Sequence, residues 1–477
     1  MSRISTNIPA IISQRNLSSA QQGLRTSLER LSSGLKINRG GDDPSGLIVS
    51  ERLRSEIRAV GQAIDNSERA INVIATTEGA LNEVNALLND INALLIEAAN
   101  RGAFSDEEVA ANQLQVDSAI ESISRIANTT TFAGRKLLDG SLDYVTSGIN
   151  TSMLGDVQVL GAKFGTRNWI GVDVQVNSAA EHAQLMWTGV GIGGSAVTID
   201  LQGMEGIVTL SFPASASVAA MVDMVNTQTD ATGVVASTTA GGMVFRTAGY
   251  GSDQFVQVQQ VFGSAPFTVT DPLAGNAIRS RAYGHDAEGT INGSPTVGKG
   301  LELQLNSFLL DVELTLDENF GIGSTTFAIT GGGSLFQLGP RINTNQQEDI
   351  GVRAMHTNKL GNRLVGFLSE LQDGQRLALR NERSLKTASD VVGEAIDQVS
   401  VLRGRLGAFE RNTLRTNISQ LQITSENLTS SESVIRDTDF AEETTALTRS
   451  QVLVQAGNAV LAIANAQQQN VLSLLGV

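Results

Sequence analysis

The side chains of this sequence that could do chemistry are few and poorly spaced for it. The histidines, His182, His285 and His356, are far apart. Glu181-His182 continues as Ala-Gln-Leu, so the spacing of a helical H-E-x-x-H metal site is absent. There is no cysteine, which removes disulfides, thiol nucleophiles and thiolate metal sites together. No G-x-S-x-G elbow and no G-x-x-x-x-G-K-[ST] loop occurs. Gly40-Gly41 precede a helix start as a phosphate cradle would, but Asp42 and Asp43 follow and would repel phosphate. Trp169, Trp187 and Tyr250 are candidate stacking platforms for a ligand, yet each stands isolated and reads first as core or hairpin packing. The expectation is no enzyme, no cofactor and no metal site.

With chemistry set aside, the elements themselves become the question. At 477 residues with 41% hydrophobic content, the chain is too long for one core and can supply two or three. Its net charge of −15 and its few, scattered lysines argue against nucleic acid or an anionic membrane as partner. No apolar run reaches membrane-spanning length. The opening MSRISTNIPAIISQRNLSSAQ lacks the apolar core and small-residue cleavage site of a cleaved export signal.

Helical periodicity dominates both ends. Ile4, Ile8, Ile11, Leu17, Leu24, Leu28, Leu31 and Leu35 form a stripe that stops in the polar run Asn38 to Asp42. Asp43 then reads as an N-cap, and Pro44 sits at the first helical position, where its missing N–H costs nothing. From there Leu53, Ile57, Val60, Ile64, Ile71, Ile74, Leu81, Val84, Leu88, Ile91 and Leu95 keep a three-four spacing, interrupted by Ser67 and Glu78. That predicts a helix to about Asn100, on the order of 80 Å long. Any helical bundle would show such a seam. Ser105 caps a second helix carrying Val109, Leu114, Val116, Ile120, Ile123 and Ile126.

Near Asp139 the composition changes to glycine-rich strands and turns, and stays so until Pro340. Within it, residues 195–256 read as a ββαββ unit, its helix presenting Val218, Met221, Val222 and Val225 on one face. Asp349 to Leu379 reads as a glycine-interrupted helix. A firm stripe returns with Val399, Leu402, Leu406 and Phe409, slips by one residue, and resumes at Leu414, Ile418, Leu421, Leu428 and Ile435. A last helix from about Asp439 carries Leu447, Leu453, Val454, Val460, Leu461, Ile463, Val471, Leu472, Leu474 and Leu475. Two long stripes at opposite ends, separated by a domain with its own strands, are most economically buried against each other.

The wording of these segments is specific. LSSGLKINRGGDDPSGL resembles the N-terminal signature of bacterial flagellins, with Pro44 and Ser45 where the family often has two alanines. SVIRDTDFAEETTALTRSQVLVQAGNAVLAIANAQQQNVLSLLGV resembles the family's C-terminus. ANTTTFAGRKLLDGS resembles the segment that opens its β-hairpin, and LFQLGPRINTNQQ its return segment, expected to lead back to helix. Residues 195–256 resemble the small outer module of flagellins and hook-associated proteins, and GHDAEGTINGSPTVGKGLELQLNSFLLDVELTL resembles their G-x-D-A-x-x-T-I-N-G segment more loosely.

The resemblance implies a mainly α fold with a central β-rich insertion, in which N- and C-terminal helices pair as an antiparallel coiled-coil rod and outer α+β domains project. The implied division is 1–43 and 437–477 as inner-tube helices, 44–139 and 341–436 as rod helices, and 140–340 as hairpin plus outer domain. The implied function is a structural subunit that polymerises into the flagellar filament for swimming motility. It would be secreted through the flagellum's own apparatus without a cleaved signal peptide. Implied partners are further copies of itself, an export chaperone, and hook-associated and cap proteins. A hook–filament junction protein is the alternative within the same class, and a soluble adhesin the alternative outside it.

The residues expected to carry polymerisation and rod packing are Leu28, Leu31, Leu35, Leu53, Ile57, Ile64, Leu88, Leu402, Leu406, Leu421, Leu461 and Leu474. Residues 1–35 and 440–477 are expected to be disordered or frayed in the monomer, because neither stripe has an intrachain core large enough to cover it. In family members detected by the vertebrate Toll-like receptor for flagellin, an Arg, a Leu four residues on and a Glu on the next helix form the recognised motif. Here those positions carry Asp90, Leu94 and Gln115, which implies weak recognition by that innate receptor.

Overall fold

The computed structural model describes residues 6–165, 167–264, 266–381 and 384–474, the side chains of 468–474 excepted. Its α-helices among these residues are α1 (Ile8–Ser33), α2 (Pro44–Ala99), α3 (Asp106–Thr129), α4 (Val218–Asn226), α5 (Thr229–Thr232), α6 (Leu385–Ala408), α7 (Arg415–Arg436) and α8 (Phe440–Leu474). Packing divides the chain into two units: Met1–Arg69 with Gln337–Ile342 and Arg411–Val477, and Ala70–Phe336 with Asn343–Glu410.

Helix α2 has a stricter seam than its large apolar residues suggest. Val60, Ala63, Ser67, Ala70, Ile74, Thr77, Leu81, Val84, Leu88, Ile91, Leu95 and Ala98 alternate steps of three and four, and none is more than 2% exposed. Ser67 is therefore a member of the seam and not an interruption. Its hydroxyl donates to Ala63 O at 2.9 Å and accepts from Asn417 Nδ2 at 3.2 Å. Asn417 also donates to Leu338 O at 2.8 Å, so the buried polar group is satisfied. Leu53, Ile57, Ile64 and Ile71 are half-buried and flank the seam.

The return helices repeat the heptad at Val392, Val399 and Leu406, then at Leu414, Leu421 and Leu428. The step from Leu406 to Leu414 is one residue too long for α-helix. Phe409–Leu414 is π-helical, and its wider turn absorbs the extra residue so that Leu406, Leu414 and Leu421 all stay buried. In the first unit α2 and α7 run antiparallel: Glu51 meets Arg436, and Val60, Ala63 and Ile64 pack with Leu421 and Leu428.

In the second unit Ser105 closes a capping box with Glu108 at the start of α3. Val109, Val116, Ile120 and Ile123 are buried as expected, but Leu114 is 69% exposed. Its neighbour Gln113 takes the inward position. Gln113 accepts from Leu379 N at 2.7 Å and donates to Leu371 O at 2.8 Å, tying α3 to an irregular segment. That segment corrects the helical reading of Asp349 to Leu379. It holds short strands Gln347–Ile350, Gly361–Asn362 and Gly366–Phe367 and a 3-10 turn Leu368–Leu371. Gly361 has φ +105°, and a Cβ there would lie 2.3 Å from Gly366 O, a conformation and approach no helix contains. Residues 335–347 likewise lead into a strand and not back to helix.

Two β-cores follow from strict alternation. One lies between a five-stranded antiparallel sheet (Ser294–Pro295, Glu288–Ile291, Ile170–Ser178, Gly323–Gly332, Tyr144–Ser147) and a four-stranded one (Val297–Lys299, Glu302–Asn306, Leu310–Leu316, Leu154–Ala162). The other contains the expected ββαββ unit, and α4 buries Met221, Val222 and Val225 as read. Its two hairpins belong to different sheets. Val197–Gln202 and Ile207–Phe212 join Phe255–Phe262 and Arg281–Tyr283, whereas Val234–Thr239 and Gly242–Thr247 join Gln184–Thr188, Val269–Asp271 and Ala277–Ile278. Trp187 stacks on Phe267 inside this core, while Trp169 is 60% exposed.

The chain enters and leaves this second core through one neck. Glu181 and His285 exchange backbone hydrogen bonds at 2.8 and 3.0 Å. Asp286 accepts from Ser252 N at 2.9 Å, from Gly300 N at 2.7 Å and from the Ser252 hydroxyl. Burial works against its charge, but these hydrogen bonds outweigh it and hold the carboxyl below its ordinary value. Gly284 is required because a Cβ would meet Glu181 O and Gly251 O at 2.5 Å. The Gly-x-Asp-Ala wording is thus a strand-crossing device.

Candidate functional site

The two breaks in the helical ends, 34–43 and 437–439, lie side by side in the first unit. Helix α1 stops because Gly34 adopts φ +72° and returns its N–H to Arg30 O at 2.8 Å. Leu35 then forms an antiparallel bridge with Asp437. Lys36 N donates to Arg436 O at 2.7 Å, and Thr438 N donates to Gly34 O at 3.0 Å.

Each residue of the N-terminal break has a separate task. Ile37 is 2% exposed and plugs the turn. Asn38 Nδ2 donates to Leu35 O at 3.0 Å. Asp42 accepts from Arg39 N at 2.9 Å and Asn38 N at 3.0 Å, and these two N–H groups hold its carboxyl below its ordinary value. Asp43 caps α2 by accepting from Gly46 N at 2.9 Å. Gly46 has no room for a Cβ, which would lie 2.5 Å from Asp43 Oδ2 and 2.7 Å from Ile37 Cδ1. On the other strand, Asp439 caps α8 through Ala441 N and Glu442 N. Arg436 pairs with Glu51 at 2.7 Å, and that hydrogen bond is the main cause of the lowered Glu51 pKa. On the far side of the bridge Arg30 meets Glu443 at 3.5 Å.

From this joint α1 and α8 run antiparallel. Arg30 faces Glu443, Gly23 faces Ser450, Leu17 faces Gly457, and Asn7 Nδ2 donates to Ala464 O at 3.0 Å. The contacting faces mix small residues with half-buried Leu17, Leu24, Leu31, Leu447, Val454 and Leu461. A Cβ on Gly23 would meet Ser450 Oγ at 3.3 Å, and one on Gly457 would meet Leu17 Cδ1 at 3.2 Å, so the two helices approach closely at both glycines. A second set of large apolar residues points away: Ile11 is 57% exposed, Leu28 49%, Leu453 51% and Ile463 60%, with Ile8, Ile12, Val452 and Val460 in the same state. Exposed large apolar side chains in this number leave the paired helices with surface for a further partner.

Both helices fall within regions that match known sequences. Residues 4–143 match the model for the bacterial flagellin N-terminal helical region, and residues 389–475 match that for the C-terminal helical region. Between and across these, the flagellin of Salmonella typhimurium is 28% identical over 99% of this chain and 99% of its own length. The chain belongs to the bacterial flagellins.

The B-type flagellin of Pseudomonas aeruginosa is similar at 29% identity, again over 99% of both chains. Among solved structures, FliC from Burkholderia pseudomallei covers 72% of this chain and 99% of its own at 16% identity, with a TM-score of 0.25 that carries no weight in the assignment. As a flagellin, this chain is a structural subunit of the extracellular flagellar filament, and the hook–filament junction reading gives way to it. It belongs to a family of structural proteins. Among the described residues no helix is long and apolar enough to cross a membrane.

The expected site residues of this flagellin differ in burial. Leu88, Leu402, Leu406 and Leu421 are buried seam residues, and Leu53, Ile57 and Ile64 are half-buried beside it. Leu31, Leu35 and Leu461 are half-buried. Leu28 is exposed. The side chain of Leu474 lies outside the described residues, as do Ile4, Leu475 and the side chains of Val471 and Leu472. Asp90 and Gln115 are exposed and Leu94 half-buried on α2 and α3. Sequence reasoning missed Gly23, Ser27, Ser450, Gly457 and the Arg30–Glu443 pair, whose signal was small residues at heptad spacing. His182, far from a second histidine in sequence, lies against Tyr250 with ring centroids 3.7 Å apart in the neck, and burial lowers its pKa. His285 pairs with Glu181 there at 3.1 Å. Among the described residues no group of three His, Cys, Asp or Glu side chains could hold a metal ion.

Proposed function

We propose that this flagellin grows its filament by laying the outward stripes of α1 and α8 against other copies in head-to-tail, non-closing contacts, the interface class that yields an open helical polymer. The observation that carries this reading is the set of large apolar residues that the α1–α8 pair leaves exposed, Ile8, Ile11, Ile12, Val452, Leu453, Val460 and Ile463 among them. Residues 1–43 and 437–477 then line the inner tube, 44–139 and 341–436 supply the rod, and 140–340 face outward. Within one chain the α1–α8 pair buries little besides Ser27, Glu443 and Ala464. Its order therefore depends on neighbours, and the cost of ordering makes growth nucleation-limited.

The remaining roles follow from the family. The subunit leaves the cell through the flagellar secretion apparatus without a cleaved signal peptide, is held by an export chaperone beforehand, and meets hook-associated and cap proteins in the filament. It performs no catalysis. Asp90 and Gln115 replace the Arg and Glu of the innate-receptor motif, and only Leu94 is kept, so the monomer is a weak agonist. The test is excision of about 150–335 with the hairpin rejoined. Thinner filaments are expected by electron microscopy, and loss of all polymerisation would overturn the assignment of the shaft to the terminal helices.

A further inference from the structure

The sheet of Arg281–Tyr283, Phe255–Phe262, Val197–Gln202 and Ile207–Phe212 turns Val197, Ile199, Leu201, Val256, Val258 and Ala282 into its core. Its other face carries a pattern that folding does not need. Gln257 stands opposite Arg281 on one side and Gln202 on the other, a row of three planar hydrogen-bonding groups about 10 Å long at the usual strand spacing. Gln259 follows two residues on, opposite Asp200. The side-chain amides of Gln202, Gln257 and Gln259 make no hydrogen bond among the described residues. Asp200, in contrast, is occupied by the Thr209 hydroxyl at 2.6 Å.

One end of the row is aromatic. The Arg281 guanidinium lies 3.8 Å over the Phe255 ring and 5.1 Å from that of Tyr283, which orients it without neutralising it. Tyr283 is 51% exposed. Among the described residues no carboxylate pairs with Arg281, although the chain carries a net charge of −15. A fixed, uncompensated guanidinium selects a carboxylate by bidentate geometry. Free amides beside it satisfy hydroxyl pairs as donor and acceptor at once. A half-exposed ring accepts the apolar face of a sugar.

We propose that this face binds an acidic glycan, with a sugar carboxylate on Arg281, hydroxyls on Gln257, Gln202 and Gln259, and a sugar ring against Tyr283. A flat, solvent-facing site of this kind gains useful strength through many copies, so a polymer displaying it would bind far more tightly than one subunit. The site is independent of the residues assigned to assembly.

The test uses the full chain, as monomer and as filament, on an array of hexuronate and sialic-acid-terminated oligosaccharides beside their carboxyl-reduced counterparts. Carboxylated glycans should bind at least tenfold more strongly than the reduced ones. Arg281→Gln and Gln257→Ala/Gln259→Ala should each lose at least tenfold, with unchanged circular dichroism, while Arg246→Gln on the other sheet should bind as the parent does. Equal binding of reduced glycans, wild-type binding by Arg281→Gln, or no carboxylated glycan above background would each overturn the proposal.

Discussion

Replacing Leu453 and Ile463 by serine should separate polymer stability from monomer stability. Both lie on the outward stripe of α8, at 51% and 60% exposure. Taking a leucine or isoleucine side chain as about 180 Å² of accessible surface, each leaves roughly 90–110 Å² for a neighbouring copy, worth about 2 kcal/mol at roughly 25 cal/mol per Å². That raises the critical concentration for assembly about 30-fold per substitution. The two positions are ten residues apart on one helix, about 15 Å, so their effects should nearly add, giving on the order of 1000-fold. The monomer loses little, because neither side chain is in its core; a change within about 0.5 kcal/mol is expected. The assay is sedimentation of seeded reactions across a concentration series, with thermal melts of the monomer in parallel. An unchanged critical concentration would refute the reasoning. So would a monomer destabilised by more than about 2 kcal/mol, since that would place the stripe inside the subunit.

Asp349 has its carboxyl pushed up to about 6, first by burial and then by Glu348, against the pull of Lys163. Glu302, Glu313 and Asp311 are raised by burial as well. A raised folded-state pKa gives stability that is full below the unfolded value and lost as pH rises through the folded one, so the second unit should melt higher at pH 5 than at pH 7.5. Asp349→Asn should flatten that dependence in calorimetry, and an unaltered slope would count against it. In the π-helical stretch, deleting Asn412 should be tolerated because it restores the seven-residue step, whereas inserting one alanine there turns Leu421 out of its core. Circular dichroism and filament yield should fall only for the insertion. For the innate receptor, Asp90→Arg with Gln115→Glu should partly recover signalling that is weak for the wild-type monomer in a reporter assay, since an interfacial Arg replaced by carboxylate costs about 2–5 kcal/mol. A wild-type monomer as potent as a strong agonist would refute the carry-over.

Where local chemistry decides, the residues could be read directly. Asp43 and Pro44 announce the start of α2, and the one-residue slip after Phe409 is the π-helical stretch. The ββαββ order was visible because each strand alternates and Ser217 caps the helix. Where partners are distant, it was not. The periodicity of α1 reveals a stripe but not which of its members an intrachain helix covers: Leu17 and Leu24 are half-buried, whereas Ile11 and Leu28 are left exposed. Gly361 and Gly366 look like helix interruptions until their positive φ angles place them in a strand pair. The joint of Leu35 with Asp437 and the neck of Glu181 with His285 are non-local pairings, which no window of sequence contains.

If the terminal helices are the surface on which copies meet, hydrogen–deuterium exchange of monomer against filament shows it most directly. Amides of Ile8–Ser33 and Phe440–Leu474 should pass from rapid exchange in the monomer to strong protection in the filament, while those of residues 183–282 exchange alike in both. Protection gained across residues 183–282, with none gained in the terminal helices, would contradict it.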